Sequence, residues 1–98
     1  MSHNAIQVIE GLDELSRLVI LDLGNNAIAQ IQNVAHLTVL EDLWLNNNRI
    51  ETLEGTGLER LTCLTTLYLE HNPQLGEYKA AAVRMVPSLK QLDADWIK

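Results

Sequence analysis

The sequence predicts an α/β solenoid, a row of short parallel strands laid side by side by a repeat of about 22 residues. Three observations carry this expectation. One skeleton of apolar positions is filled three times within 98 residues. An asparagine closes each copy at the same place. Past the third copy the pattern gives way to Pro73 and a stretch with helical spacing, as expected where a stack is closed.

The clearest copy is Leu40-Glu41-Asp42-Leu43-Trp44-Leu45-Asn46-Asn47-Asn48-Arg49-Ile50. The skeleton returns 22 residues earlier, from Leu18 through Leu21, Leu23 and Asn26 to Ile28. It appears again 24 residues later as Leu64, Leu67, Leu69 and Asn72. This L-x-x-L-x-L-x-x-N pattern is the leucine-rich-repeat core, in which a short strand runs into a loop held by an inward asparagine.

Taken in order, residues 1–14 align as the second half of a repeat: Asn4 falls where Asn26 falls, and Met1 where Leu23 and Leu45 fall. A stack without a polar cap leaves its first core layer open. Two expectations follow: a chain that is the C-terminal part of a longer array, or an open N-terminal end covered by a partner or a second copy.

Residues 15–36 and 37–60 form the two full repeats, 61–75 the last repeat and 76–98 the C-terminal cap of a single domain. Leu15, Leu18, Leu21, Leu23, Ile28, Ile31 and Val34 are expected to point inward in the first full repeat. Leu37, Leu40, Leu43, Leu45, Ile50, Leu53 and Leu58 do so in the second. The two extra residues of the second repeat fall at Gly55-Thr56-Gly57, where glycines absorb an insertion. So short a repeat leaves room for a tight turn or 3₁₀ segment on its outer side. In the cap, Glu77 to Val86 has helical spacing, with Tyr78, Ala82 and Val86 on one face. Pro87 stops the helix. Leu89, Leu92 and Ala94 then fit the inward register of a partial fourth strand.

Composition narrows the function. The chain is 47% hydrophobic but 4% aromatic, has no Phe, and carries a net charge of −6. Nucleic acids and anionic membranes reward clusters of Lys and Arg, which this chain lacks. The single cysteine, Cys63, cannot form an internal disulfide and is expected to be half-buried. No apolar run approaches the ~18 residues of a membrane span, and the first residues lack a signal-peptide pattern. Cytoplasm and/or nucleus is the expected setting.

Catalytic chemistry is not expected. His3, His36 and His71 occupy different repeat positions and do not cluster with acids or Cys63 at metal-ligand spacing. No phosphate-cradling glycine loop or nucleophile elbow occurs. No cofactor is implied. Asn4, Asn26, Asn48 and Asn72 form a ladder whose amides bond backbone groups inside the loops. Asn25, Asn46 and Asn47 are freer to touch a partner.

The residues between the inward leucines carry the functional reading. Alternation sends them to the opposite face of the sheet, the concave side on which such arrays dock partners. Stacking the repeats gives one column of Asp22, Trp44, Tyr68 and Asp93. It is flanked by Ile20, Asp42, Thr66 and Gln91 on one side and by Gly24, Asn46, Glu70 and Asp95 on the other. Trp44 and Tyr68 should stand side by side among carboxylates. Such rings are favoured interface anchors; the alternative is that they stack on each other and cover the sheet. The predicted partner-binding set is Asp22, Asp42, Trp44, Asn46, Tyr68, Glu70 and Asp93.

Leu40 to Asn48, then Leu64 to Pro73, then Met85-Val86-Pro87-Ser88-Leu89-Lys90-Gln91-Leu92-Asp93-Ala94 together resemble the C-terminal repeats and cap of the leucine-rich-repeat regulatory subunit of type-1 protein phosphatase. The likeness covers essentially the whole chain, since residues 2–12 also fit an internal repeat of that family. It implies a phosphatase catalytic subunit as partner, with Asp42, Trp44 and Tyr68 at contact positions. A related cap occurs in a spliceosomal leucine-rich A-prime protein, an axonemal dynein light chain and acidic nuclear phosphoproteins, which leaves a structural assembly adaptor as the alternative. The family array is longer, and its upstream repeats carry further contacts. The loop between the second and third strands is also shorter here.

Overall fold

The computed structural model describes residues 5–97. Three strands of three residues each, β1 (Ile20–Asp22), β2 (Asp42–Trp44) and β3 (Thr66–Tyr68), are followed by one helix, α1 (Lys79–Met85). Two shorter strands end the described chain, β4 (Gln91–Leu92) and β5 (Asp95–Trp96). They form one sheet in the order β1-β2-β3-β4-β5, parallel from β1 to β4. The last pair is antiparallel. Leu21, Leu43, Leu67 and Leu92 lie in register at the strand centres.

Parallel strands need long crossover connections, and here leucines at every third position build them. Leu15 N–H donates to Leu12 O at 3.0 Å and Leu18 N–H to Leu15 O at 3.1 Å. The same chained turns run Val34–Leu37–Leu40 and Leu58–Leu61–Leu64. The latter two turns bury their leucines, Leu37, Leu40, Leu58, Leu61 and Leu64, beneath the sheet. One of them tightens into a 3₁₀ segment at Leu58–Arg60.

The core is aliphatic and continuous, from Ile9 and Leu12 through the strand leucines to Leu89 and Leu92. Fully burying a leucine stabilises the fold by roughly 1.5–3 kcal/mol. The insertion falls at the two glycines, with φ of 70° at Gly55 and 81° at Gly57. Thr56 between them is buried, its hydroxyl donating to Leu53 O at 2.8 Å and accepting from Leu58 N–H at 3.3 Å. A Cβ on Gly57 would come within 2.9 Å of the Ala35 Cβ, so only glycine fits this close approach.

Several placements differ from the periodic expectation. Leu15 is 44% exposed, not inward. Its counterparts Leu37 and Leu61 are fully buried between two layers, whereas Leu15 has a layer on only one side among the described residues. Cys63 is exposed rather than half-buried, because it occupies an outward position between the buried turn residues Leu61 and Leu64. The alignment of Met1 and Asn4 lies outside the described residues.

The cap is shorter than its pattern. Tyr78 precedes α1 with φ −121°, and Val86 follows it with φ −126° and ψ 80°. A residue before proline is pushed out of the helical region, which ends α1 ahead of Pro87. Ala82 and Val86 are buried and Tyr78 is half-buried, as the shared face requires. The antiparallel β5 was not expected, and it displaces the predicted inward Ala94. Asp93 takes φ 56° and reverses the chain, so Ala94 becomes an exposed residue of a two-residue turn.

Candidate functional site

The face opposite the core is positioned by the asparagine ladder. Asn48 Oδ1 accepts the Ile28 N–H at 3.0 Å, while its amide donates to Leu23 O at 3.0 Å and Leu45 O at 3.1 Å. Asn72 repeats the arrangement one strand on, accepting from Ile50 N–H at 3.0 Å and donating to Leu45 O and Leu69 O at 2.9 and 2.8 Å. Asn26 accepts from Ile6 N–H at 3.2 Å. Each amide joins two neighbouring loops, so the strands leave the ladder in a common register. Asn4 and His3 lie outside the described residues.

Just before each described ladder asparagine the backbone is left-handed, with φ of 60° at Asn25, 58° at Asn47 and 64° at His71. Asparagine and histidine tolerate this region better than most residues. Asn25, Asn47 and His71 are therefore turn formers.

The register puts Asp22, Trp44 and Tyr68 in one row across β1, β2 and β3. Ile20, Asp42, Thr66 and Gln91 form the next row. Trp44 is 38% exposed, and its ring lies 5.8 Å from that of Tyr68 at a tilt of 51°. Tilted aromatic pairs at this distance attract each other. The Tyr68 hydroxyl accepts a hydrogen bond from Gln91 Nε2 at 3.0 Å, which fixes the outer edge of the ring. Asp42 and Glu70 are half-buried beside the pair. Asp22 Oδ1 accepts from Gly24 N–H at 3.0 Å, so this carboxylate also holds its own turn. A Cβ on Gly24 would come within 2.9 Å of Asn46 Oδ1, which sets Gly24 and Asn46 side by side in the third row.

Asp93 does not continue the aromatic row. It is only 3% exposed. Its Oδ1 accepts from the backbone N–H groups of Leu69 at 2.6 Å and Glu70 at 2.9 Å, and its Oδ2 accepts from the Tyr78 hydroxyl. The reason lies in the ladder. Leu23 and Leu45 donate their N–H groups to the carbonyls of Trp44 and Tyr68, each at 2.8 Å. Beyond β4 the chain turns away, and the Asp93 carboxylate takes the place of the next carbonyl. Burial first, then the hydrogen bond to Asp93 and the nearby carboxylates, push the Tyr78 hydroxyl well above the usual tyrosine range.

Asp95 also leaves the predicted face. It pairs with the inward Leu92 in the β4–β5 register, and its carboxylate meets Lys79 of α1 at 2.8 Å. Trp96 takes a place on the face that the repeat pattern did not foresee. It lies across from Gln91 and is 74% exposed. The available signal was Gln91-Leu92-Asp93-Ala94-Asp95-Trp96, two strand pairs flanking a turn dipeptide headed by aspartate. Among the described residues no three His, Cys, Asp or Glu side chains come together as metal ligands.

A stacked parallel sheet with asparagine-held loops and a polar-aromatic outer face defines a class, and comparison with known proteins agrees. The leucine rich repeat family model matches residues 17–73, and the chain belongs to that family. It is 42% identical over 59 residues to the protein phosphatase 1 regulatory inhibitor subunit PPP1R7 homolog of Arabidopsis thaliana, covering 60% of this chain and 18% of that protein. It is 33% identical over 73 residues to the protein phosphatase 1 regulatory subunit pprA of Dictyostelium discoideum, covering 72% of this chain and 22% of that protein. Cilia- and flagella-associated protein 410 of Homo sapiens is 33% identical over 85 residues, covering 82% of this chain and 33% of that protein. The chain thus spans between 18% and 33% of the length of these relatives.

Proposed function

We propose that this chain is a non-catalytic recognition module, a short solenoid whose concave face docks the catalytic subunit of a type-1 Ser/Thr protein phosphatase. The observation that carries the reading is the Trp44–Tyr68 pair, held 5.8 Å apart on the open face of the sheet. Interface hot spots are enriched in such rings. The half-buried Asp42 and Glu70 beside it suit lysine or arginine on the partner. Two relatives that are named as regulatory subunits of protein phosphatase 1 support a phosphatase as the partner. Docking would modulate the phosphatase without chemistry done by this chain, in the cytoplasm or nucleus.

Calorimetric titration of the purified catalytic subunit into the chain tests the proposal. Trp44→Ala should weaken binding by about 2 kcal/mol while the circular dichroism spectrum stays the same. Equal affinity of the two forms would remove Trp44 from the interface, and no binding by either would remove the phosphatase.

The likeness to the human cilia- and flagella-associated protein favours a second reading, a structural assembly adaptor that cradles a segment of an axonemal or spliceosomal partner on the same face. Quantitative affinity capture separates the two. The first expects a phosphatase catalytic subunit that disappears with Trp44→Ala; the second expects an assembly partner with the phosphatase absent.

A further inference from the structure

The last strand adds a ring to the open face. Residues paired across neighbouring strands point to the same side of a sheet. Gln91 faces the open side, because its amide reaches the Tyr68 hydroxyl at 3.0 Å. Trp96 is the cross-strand partner of Gln91, so its indole stands on that same side. With 74% of its surface exposed, it is more open than Trp44 at 38%. Neighbouring strands lie about 4.8 Å apart, and Trp96 is level with Asp42, two residues along the strand from Trp44, so the two indoles on β2 and β5 stand roughly 16 Å apart on the sheet. Between them stand Tyr68 and Gln91, tied to each other.

Charge defines the occupant. The rows of this face are Ile20, Asp42, Thr66, Gln91 and Trp96; Asp22, Trp44 and Tyr68; and Gly24, Asn46 and Glu70. They contain three carboxylates and two indoles, and none of these residues is Lys or Arg. Lys79 of α1 is committed to Asp95 at 2.8 Å. Arginine guanidinium groups stack on indole faces and pair with carboxylates, and they do so better than lysine. In an extended chain, alternate residues recur about every 6.6 Å on one side. Two arginines four apart, about 13 Å along such a segment, come within about 3 Å of the separation of the two indoles, a gap that their long side chains span.

We infer that Trp96 is a second contact residue of the docking face, and that its occupant is an extended, arginine-bearing protein segment crossing from β2 to β5, with guanidinium groups over Trp44 and Trp96. The inference rests on the docking reading of the face and adds the chemistry of what docks. It does not depend on that segment belonging to a phosphatase.

Nona-arginine titrated at low salt into the ¹⁵N-labelled chain tests it. The two tryptophans give two indole N–H resonances, assigned with Trp44→Phe and Trp96→Phe. Both resonances should move on one binding curve, and nona-glutamate should move neither. Trp96→Ala should weaken the affinity roughly two- to five-fold, the range of an exposed cation–π contact. A shift confined to Trp44, no shift at either indole, or an unchanged affinity in Trp96→Ala overturns the inference. The same titration with the phosphatase catalytic subunit reports on its partner separately. If that protein moves neither indole while nona-arginine moves both, the phosphatase reading falls and the arginine-segment inference stands.

Discussion

The carboxylate of Asp93 accepts the backbone N–H of Leu69 at 2.6 Å, in the position where the next strand's carbonyl would have been. A side chain thus completes a backbone ladder at the point where the chain turns back. Leaving a buried N–H without an acceptor costs roughly 1–3 kcal/mol. Asp93→Ala is expected to destabilise the chain by about that amount in urea denaturation. Asp93→Asn keeps an oxygen and tolerates the left-handed φ, so its loss should be clearly smaller. Equal losses would show that the charge, not the acceptor, holds this end.

Tyr78 donates its hydroxyl to the other oxygen of the same carboxylate, and its ionisation is pushed upward by burial and by that bond. A group whose pKa is higher in the folded than in the unfolded state stabilises the fold below its unfolded value. That contribution is complete below pH 10.0, the ordinary value for tyrosine, and is lost as the pH rises above it. Urea denaturation between pH 8 and 11, taken as roughly the span around tyrosine ionisation, should show a fall above pH 10 that is shallower in Tyr78→Phe. Identical profiles in the two proteins would remove Tyr78 as the source.

Much of this was legible because parallel repeats obey a strict period. The L-x-L spacing fixed which side chains of β1, β2 and β3 face outward, and the register agrees residue by residue from Ile20–Asp42 to Trp44–Tyr68. The asparagine positions marked the loops for the same reason. The pattern misled where the period continued in sequence but not in space. Leu89, Leu92 and Ala94 keep the spacing of a fourth repeat strand, yet one residue at φ 56° folds the chain into a hairpin. A local turn preference outweighs an unfinished repeat, and no apolar count records it. That single reversal buries Asp93, removes Asp95 from the face and puts Trp96 there.

Layer position should govern how much a repeat leucine contributes. Leu43 is fully buried at the middle of β2, and Leu15 is 44% exposed although it fills an equivalent skeleton position to Leu37. Leu43→Ala is expected to cost roughly 2–5 kcal/mol, through lost burial and the cavity left behind. Leu15→Ala should cost about 1 kcal/mol or less, since much of its surface stays in water. Chemical denaturation of the two variants decides the point. A loss at Leu15 as large as that at Leu43 would mean that residue 15 is covered in solution.

Charge on the face predicts a kinetic signature distinct from that of the rings. Asp42 and Glu70 flank the Trp44–Tyr68 pair and keep part of their surface in solvent. Charges at an interface margin act mainly on encounter, raising the association rate at low salt, whereas central aromatic anchors act on dissociation. Stopped-flow binding of the phosphatase catalytic subunit to Asp42→Asn/Glu70→Gln should therefore show slower association, with most of the difference gone near 1 M salt, where screening shortens to about 3 Å. Trp44→Ala should instead dissociate faster at every salt concentration. The two carboxylates carry formal charge in a chain of net −6, so a variant at two remote acids, Glu10→Gln/Asp13→Asn, isolates the local effect. If that remote pair slows association as much as the face pair does, overall charge steers the partner and Asp42 and Glu70 have no special place in the encounter.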